Sequence, residues 1–204
     1  CDNHKRSRFG GIQMTKINSL CVFCGSLPGN HPEYSVQAAL LGAYLADQHI
    51  RLIYGGSSDG LMGTVANATI DAGGQVTGIM PRFLKQISTE SNNLTDLVEV
   101  STMDERKEKM SELSDAFIVL PGGFGTFEEL GTMLSWSKID IHTKPIALFN
   151  IDHFYDSLWQ WFVDAAESEF LPLSDLKLMV NASSIEQIFE YFSTFKHVTE
   201  MPHA

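Results

Sequence analysis

Short apolar runs alternate with longer amphipathic stretches along most of the chain. Each run is continuously apolar and does not alternate with polar residues, which is typical of parallel strands that are covered on both faces. The runs predict strands at 20–24, 51–54, 76–80, 97–100, 116–120 and 146–149. The stretches between and after them predict helices at 33–48, 61–72, 104–114, 126–137, 154–168 and 185–195.

This alternation predicts an α/β fold, a single doubly wound Rossmann-like domain with a mostly parallel sheet and helices on both faces. We expect a flexible leader over residues 1–18, the domain over 19–196 and a tail over 197–204. In such folds ligands bind beyond the carboxyl ends of the strands, near the point where the strand order reverses. The loops that follow strands are therefore the first places to look for chemistry.

Composition and charge narrow the classes of partner. Hydrophobic residues make up 44% of the 204 positions and charged residues 19%, which excludes a disordered or coiled-coil chain. Fourteen Lys and Arg against 25 Asp and Glu give a net charge of −11, which argues against nucleic-acid polymers and membrane surfaces as partners. No apolar run reaches the ~18 residues that a membrane span needs. We expect a cytoplasmic enzyme or binding protein.

The cysteines and histidines do not predict a redox or metal site. Cys21 and Cys24 form the sequence C-V-F-C in a predicted strand, where positions three apart point to opposite faces and lie ~10 Å from each other. A disulfide tolerates ~7 Å between Cα atoms, so both cysteines are expected in the core. The seven histidines are scattered without H-x-x-x-H spacing. We predict no metal and no cofactor.

Three loops that follow predicted strands are rich in glycine. The first, at 24–26, contains Ser26, and the second covers 55–63. The second loop has the glycine spacing of a Walker A loop, but Leu61 and Met62 stand where Lys and Ser or Thr are required, which excludes a P-loop. A tight turn that packs a strand against a helix is the alternative interpretation of either loop.

The third loop, P-G-G-F-G-T at 121–126, has the most specific sequence. The dinucleotide fingerprint G-x-G-x-x-G fails here, because Glu128 occupies its third glycine position. Backbone N–H groups that follow glycines and end at a helix start form a good phosphate site. Thr126 and Glu129 also match a capping box, in which both side chains satisfy backbone donors of the helix start. Glu129 therefore has two interpretations, a helix cap and a carboxylate held in a pocket.

A charged residue on an apolar helix stripe is the second unusual feature. In the predicted helix at 104–114, Arg106 shares one face with Met103, Met110 and Leu113. An arginine among buried residues needs an anionic partner, whereas a snorkelling or structurally paired arginine is the alternative. Lys107 lies one step round the helix and offers a second positive charge.

Together these segments resemble the LOG ("lonely guy") family, whose signature is P-G-G-x-G-T-x-x-E with an upstream Arg-Lys pair. The signature is complete at 121–129, and the pair is Arg106-Lys107. The resemblance extends from about residue 19 to 180 and also covers C-V-F-C-G-S at 21–26, G-L-M-G at 60–63, S-D-A-F-I-V-L at 114–120 and H-x-K-P at 142–145.

The resemblance implies a hydrolase that needs no cofactor. Its substrate is adenosine 5′-monophosphate or an N6-substituted (cytokinin) riboside 5′-monophosphate, cleaved at the N-glycosidic bond to free base and ribose 5-phosphate. Many family members carry an older lysine decarboxylase label, but no lysine here lies in a recognisable pyridoxal-phosphate setting. A homodimer is also implied, for which helices 126–137 and 154–166 offer apolar faces; packing of those faces on the sheet is the simpler alternative.

By position, the resemblance makes Arg106 and Glu129 the catalytic pair. Breaking the bond places positive charge on the ribose and requires a water at C1′, and we assign that water to Glu129. Arg106 is assigned to the phosphate or the ribose hydroxyls. The residues assigned to the substrate and its phosphate are Ser26, Gly60, Met62, Gly63, Lys107, Gly122, Gly123, Phe124, Gly125, Thr126 and Ser135.

Three positions depart from the family pattern. Ser57 replaces the third glycine of the second loop, Ser88 replaces a glutamate (with Glu90 two residues on), and Thr132 replaces an acid that follows the signature glutamate. These changes leave the reaction class standing but bear on the preferred base. They also support the alternative of a non-catalytic nucleotide-binding protein of the same fold. An NAD-dependent oxidoreductase is a third class, disfavoured by the broken fingerprint.

Overall fold

Seven parallel strands form the central sheet in a computed structural model that describes residues 16–86 and 94–197. The strands are β1 (Ser19–Phe23), β2 (Arg51–Tyr54), β3 (Val76–Pro81), β4 (Asp96–Val100), β5 (Ala116–Val119), β6 (Ile146–Phe149) and β7 (Met179–Ala182). The α-helices of the same residues are α1 (Pro32–Asp47), α2 (Gly60–Asp71), α3 (Met103–Glu112), α4 (Phe124–Lys138), α5 (Asp156–Glu167) and α6 (Ile185–Thr194).

The strand order β4-β3-β2-β1-β5-β6-β7 confirms the predicted doubly wound α/β fold. The chain winds outward from β1 to β4, returns to the centre, and winds the other way from β5 to β7. The order therefore reverses between β1 and β5, which pair in parallel with Cys21 opposite Phe117. The crevice beyond the carboxyl ends of these two strands is the place where the fold allows a ligand to bind.

The sequence pattern did not predict one strand, β7. The segment M-V-N-A of β7 is short and includes a polar residue, Asn181, so it does not form a continuous apolar run. It is a strand because it pairs with β6, Ile146 opposite Met179 and Phe149 opposite Ala182. The predicted strands and helices are confirmed, with helix ends that shift by no more than two residues.

Side chains on the two faces of the sheet form two separate cores. Helices α1, α2 and α6 cover one face, to which they contribute Leu41, Val65 and Ile188 among others. Helices α3, α4 and α5 cover the other face, where Met110 and Met133 are fully buried. Both faces of β1, β2, β3, β5 and β6 are buried, which explains why these strand sequences are continuously apolar, whereas β4 and β7 are partly exposed.

Cys21 and Cys24 lie in different cores, as the strand geometry predicts. Both thiols are free and buried. Burial raises the pKa of the Cys24 thiol well above its usual range, so the thiol stays protonated and unreactive. The C-V-F-C sequence is therefore a piece of core strand. Cys1 lies outside the described residues.

Most of the predicted leader and tail lies outside the described residues, at 1–15 and 198–204. The backbone N–H of Asn18, in the described part of the leader, donates to Asp115 Oδ2 at 2.8 Å. His197, the first residue of the predicted tail, lies with Nε2 3.0 Å from the Ser137 carbonyl oxygen. The domain boundaries stay a prediction. Within 16–86 and 94–197, no helix is both long enough and apolar enough to cross a membrane.

Helices α1 and α2 pack against each other through a glycine. A Cβ atom added at Gly42 would lie 2.5 Å from the Val65 carbonyl oxygen and 3.0 Å from the Ala68 Cβ. The Val65 carbonyl oxygen belongs to the backbone and cannot rotate away, so a side chain at position 42 forces the two helices apart. Gly131 of α4 is the opposite case, because a Cβ there would meet no atom within 4 Å.

We predict opposite effects for the same substitution at these two helix positions. Gly42→Ala should destabilise the protein by about 1–3 kcal/mol, the usual cost of overpacking. Gly131→Ala should be neutral or stabilise it by up to about 1 kcal/mol, because alanine has the higher helix propensity. Urea unfolding curves of both variants and of the parent protein measure the difference. Equal effects at the two positions would contradict the packing described for α1 and α2.

Candidate active site

Three strand-to-helix loops meet at the reversal point of the sheet. The N–H of Gly25, after β1, donates to the Pro121 carbonyl oxygen after β5 at 3.0 Å. The Gly25 carbonyl oxygen in turn accepts from the N–H of Leu61 at the start of α2, at 3.1 Å. Glycine is required where these loops touch, since a Cβ at Gly122 would lie 2.1 Å from Thr126 Oγ1 and 2.9 Å from the Gly25 nitrogen. The loops therefore form one close-packed floor.

Arg106 reaches this floor from α3 and is only 8% exposed. Its Nε donates to the Ile79 carbonyl oxygen at 3.1 Å, and its Nη2 donates to the Gly55 carbonyl oxygen at 2.9 Å. Its Nη1 lies 3.8 Å from Glu129 Oε1. Its burial excludes a snorkelling side chain, and it has the anionic partner that a buried cation requires. A structurally paired arginine would show the same contact, so its catalytic role stays a prediction.

Glu129, on α4, is 7% exposed. Burial raises the pKa of its carboxyl to about 7 and is the largest influence on it. The positive charges of Arg106 and Lys107 lower this pKa, whereas the negative charge of Glu128 raises it further. A carboxyl with a pKa near neutral is suited to accept or deliver a proton at physiological pH. Strongly shifted groups of this kind concentrate at functional sites.

The predicted capping box at Thr126 and Glu129 is wrong. Helix α4 begins at Phe124 with Gly123 as its N-cap, and no side chain caps it. The N–H of Phe127 donates to the Gly123 carbonyl oxygen at 3.0 Å, so Thr126 already lies in the first turn and Glu129 in the second. The glycines of the loop allow the helix to begin two residues earlier than predicted. Glu129 is therefore not buried in order to cap the helix.

Lys107 lies beside the buried pair but has other partners. Its Nζ contacts Glu128 Oε1 on α4 and lies 3.1 Å from Asp104 Oδ1 on its own helix. Hydrogen bonding to Glu128 raises the pKa of the Lys107 ammonium. This contact ties α3 to α4 one residue away from the Arg106–Glu129 pair. The assignment of Lys107 to the substrate phosphate thus competes with a contact that the structure shows.

A cavity of about 630 Å³ opens in front of Arg106. It holds three of the other residues assigned to the substrate, Ser26, Gly60 and Met62. From the sequence, none of the remaining lining residues is assigned to the substrate, and among them Ser57 stands out only as a departure from the family pattern. They are Leu27, Pro28, Gly55, Ser57, Asp59, Met80 and Leu84. The signal that could have found most of them is topological, because they follow the carboxyl ends of β1, β2 and β3.

The signature loop divides into open and buried positions. Side chains at Gly123 and Gly125 would meet no atom within 4 Å, and Phe124 is 96% exposed, so this part of the loop lies at the surface. Thr126 is buried against Gly122. Gly122 and Gly123 line a different, smaller cavity of about 270 Å³ on the α4 and α5 side.

Two assigned residues lie apart from this group. Gly63 is inside α2, where a Cβ would lie 1.9 Å from the Ser58 carbonyl oxygen, so packing alone requires its glycine. Ser135 faces a separate cavity of about 200 Å³ between α4 and the segment that leads to β7. The structure does not bring Ser135 to Arg106, and its assignment rests on the resemblance alone.

The H-x-K-P segment at 142–145 lies at the opposite edge of the sheet, directly before β6. His142 Nε2 lies 2.9 Å from the Met133 carbonyl oxygen, and its Nδ1 accepts from the Lys144 N–H at 3.2 Å. Burial lowers the pKa of the His142 imidazole to about 4, so the ring is neutral and fixed. None of these four residues lines the cavity in front of Arg106.

Of the departures from the family pattern, two can be described. The Thr132 hydroxyl donates to the Glu128 carbonyl oxygen at 2.9 Å, an ordinary contact within a helix. Ser57 Oγ donates to Asp59 Oδ2 at 3.1 Å inside the large cavity. Ser88 and Glu90 lie outside the described residues.

Comparisons with known proteins point to the same group of sequences. A family model described as "Possible lysine decarboxylase" matches residues 62–192. The chain is 39% identical to cytokinin riboside 5′-monophosphate phosphoribohydrolase LOG2 of Arabidopsis thaliana over 181 residues, which cover 89% of this chain and 85% of the relative. It is 36% identical to LOG5 of the same plant over 189 residues, which cover 93% and 83%.

Solved structures with this fold include proteins of other kinds. The molybdenum cofactor carrier protein of Chlamydomonas reinhardtii matches with a TM-score of 0.64 and 17% identity, covering 88% of this chain and all of that one. The molybdenum cofactor binding protein of Rippkaea orientalis matches with a TM-score of 0.64 and 23% identity, covering 86% and 95%. At these identities the likeness shows the fold alone.

The raised pKa of Glu129 predicts a pH-dependent stability. The folded protein holds a proton on this carboxyl up to about pH 7, whereas an unfolded chain releases it near pH 4.5. Stability therefore falls as the pH rises from 4.5 to 7. Glu129→Gln removes this loss, so its stability relative to the parent should increase by about 1–3 kcal/mol between pH 4.5 and pH 8.

Denaturant unfolding at the two pH values measures this change. Glu108→Gln is the matched control, because Glu108 is an exposed glutamate of the neighbouring helix α3. Its stability difference from the parent should be the same at both pH values. A pH-independent difference for Glu129→Gln would show that the carboxyl titrates normally.

Proposed function

The chain belongs to the LOG family of cytokinin riboside 5′-monophosphate phosphoribohydrolases, and from this premise we propose its activity. It is a hydrolase that cleaves the N-glycosidic bond of adenosine 5′-monophosphate or an N6-substituted riboside 5′-monophosphate, releasing free base and ribose 5-phosphate. The observation that carries the proposal is the buried Glu129 carboxyl, with a pKa of about 7, held 3.8 Å from Arg106, which lines a cavity of nucleotide size.

Glu129 handles the attacking water. As the bond from C1′ to the base breaks, positive charge develops on the ribose, and a carboxylate both attracts that charge and accepts the proton of the water. The raised pKa makes the carboxylate a stronger base than an exposed glutamate. Arg106 keeps the carboxylate form accessible, since its positive charge lowers the same pKa.

Arg106 acts as a fixed donor. A guanidinium has five N–H groups, and backbone carbonyl oxygens take one from Nε and one from Nη2. The other three remain for Glu129 and for the substrate, and the two backbone bonds fix their direction. Lysine at this position would keep the charge but could not make all of these contacts.

The phosphate binds at the start of α4. Gly123 and Gly125 of the signature loop are exposed, and the N–H groups of a helix start, with the positive end of the helix dipole, attract an anion. The loop continues directly into the helix that carries Glu129, so the phosphate and the general base are held by one element. Binding energy from the phosphate can then position C1′ for reaction.

A non-catalytic nucleotide-binding protein is the second candidate, and the fold by itself permits it. Nucleotide binding does not require a buried carboxyl that is half-protonated near neutral pH, and such a group is costly for the fold. Glu129 therefore favours turnover.

A homodimer and a cytoplasmic location complete the proposal. Large apolar side chains are exposed on α4, on α5 and just after them: Phe124, Phe127, Ile139, Ile141, Trp161, Phe170 and Leu173. Apolar surface of this extent is usually covered by a partner, and a second copy of the chain is the partner that we propose. The net charge of −11 disfavours a nucleic-acid polymer as a partner.

The free thiols at Cys21 and Cys24 support the proposed cytoplasmic location, because thiols stay reduced in a reducing compartment.

Base release from nucleotides tests the proposed activity. The parent protein should convert adenosine 5′-monophosphate to adenine and ribose 5-phosphate, and Glu129→Gln and Arg106→Lys should each lose about 100-fold or more in kcat. Chromatography of the base and a reducing-sugar assay measure the two products. The controls Glu108→Gln and Arg82→Lys change exposed residues and should keep full activity. Binding of the nucleotide without any release of base would favour the second candidate.

The same assay with two further changes separates the roles of the groups. Adenosine, which lacks the phosphate, should be a far poorer substrate than its monophosphate. The acid limb of kcat/KM should lie near pH 7, where Glu129 titrates. A phosphorothioate analogue of the substrate is the control, because the pKa of its phosphate group differs from that of the normal substrate. The acid limb should stay at the same pH with this analogue.

Sedimentation velocity at micromolar concentration tests the dimer. We expect a particle of twice the 22.7 kDa chain mass. Trp161→Glu should shift the population to single chains, because it places a charge on the apolar surface. Leu40→Glu, an equally drastic change on exposed α1, should not. A parent protein that sediments as a single chain would overturn this part of the proposal.

A further inference from the structure

A serine and an aspartate form a fixed unit on the wall of the large cavity. Ser57 Oγ donates to Asp59 Oδ2 at 3.1 Å and accepts from the Asp59 backbone N–H, also at 3.1 Å. Ser57 is only 4% exposed, so its hydroxyl holds the carboxylate from a buried position. The unit lies in the loop between β2 and α2 and faces the same cavity as Arg106.

Asp59 does not perform the role that its position suggests. It is the N-cap residue of α2, where an aspartate usually accepts a hydrogen bond from the helix start, but its side chain makes no capping bond. The Leu61 N–H at that helix start donates instead to the Gly25 carbonyl oxygen. The carboxylate instead accepts from the Ser57 hydroxyl, and Asp59 lines the cavity.

Among the described residues that line this cavity, Asp59 and Arg106 are the two charged ones. The other lining side chains are apolar or small: Leu27, Met62, Met80 and Leu84 among the apolar ones. A carboxylate repels a phosphate group, so Asp59 must face a part of the nucleotide that donates hydrogen bonds. The nucleotide offers such donors at the ribose hydroxyls and at the exocyclic amine of the base.

We propose that Asp59 is a specificity-determining residue that binds the ribose 2′- and 3′-hydroxyls, with Ser57 as its positioning residue. This inference rests on the proposed function. In doubly wound nucleotide-binding sheets, a carboxylate that follows the second strand is well placed for the ribose, because the phosphate occupies the loop at the reversal point. Asp59 follows β2, and the signature loop follows β5 two strands away. The base then lies among the apolar side chains.

Ser57 gives the carboxylate one orientation. Without the hydroxyl, Asp59 keeps its charge but loses its buried partner, and a free rotamer binds a diol less well because its freedom is lost on binding. The family pattern has a third consecutive glycine where this chain has Ser57. This substitution has a functional explanation, because the serine fixes a ribose contact.

Two nucleotide pairs and three variants test the assignment. The first ratio compares adenosine 5′-monophosphate with its 2′-deoxy form. It is measured once from kcat/KM and once from Kd, the latter by titration calorimetry. The second ratio, adenosine 5′-monophosphate over purine riboside 5′-monophosphate, reports on the exocyclic amine. The variants are Asp59→Asn and Ser57→Ala, with Asp71→Asn as the control at the far end of the same helix.

The parent protein should discriminate against the 2′-deoxy form by about 10-fold or more, since the carboxylate that Ser57 orients then lacks one of its donors. Asp59→Asn should reduce this ratio to about 3-fold or less, Ser57→Ala should reduce it in part, and Asp71→Asn should leave it unchanged. The exocyclic-amine ratio should not change in any variant. Asparagine is a good N-cap residue, so Asp59→Asn should remain folded.

Two results would overturn the assignment. One is an unchanged ribose ratio in Asp59→Asn; the other is a loss of the exocyclic-amine ratio in that variant, which would place the carboxylate at the base. If no nucleotide releases base, the proposed function fails, and the two Kd ratios still decide whether Asp59 reads the ribose.

Discussion

A buried guanidinium constrains everything around the reversal point of the sheet. Removing a positive charge from water is costly unless it is paired and hydrogen-bonded. Arg106 meets that requirement through the Ile79 and Gly55 carbonyl oxygens and through Glu129. Gly55 has to be glycine, because a Cβ there would lie 2.1 Å from Nη2. One side chain thus fixes the loop after β2, the course of β3 and the position of α4.

Burial of Arg106 and Glu129 affects the ionisation of Glu129 alone. The arginine cannot release its proton, so the glutamate is the member of the pair that can become neutral. Its desolvation outweighs the attraction of Arg106 and leaves the pKa near 7. A closer contact than 3.8 Å would hold the carboxylate ionised and weaken it as a base. The loose geometry of the pair is therefore part of its chemistry.

The sequence predicts most of the fold because the strands are apolar on both faces, whereas β7 needed its pairing with β6 to be recognised. Arg106 could be singled out because a cation on an apolar stripe violates the pattern. The capping box failed because two glycines let α4 begin earlier than Thr126. Asp59 could not be predicted as a site residue, because a serine and an aspartate before a helix are typical of an ordinary turn. Its place in the lining of the cavity is visible only in the structure.

The strand order also sets when the site can form during synthesis. Strands β1 to β4 pair with near neighbours in the chain, but β1 meets β5 only after almost a hundred residues have been added, Leu20 opposite Ala116. Pairings of such long range form late in folding. A nascent chain that ends before α4 presents Arg106 without the carboxylate that neutralises it. The emergence of β5 from the ribosome therefore completes the sheet at its centre, and the emergence of α4 directly after it completes the charge balance of the pocket.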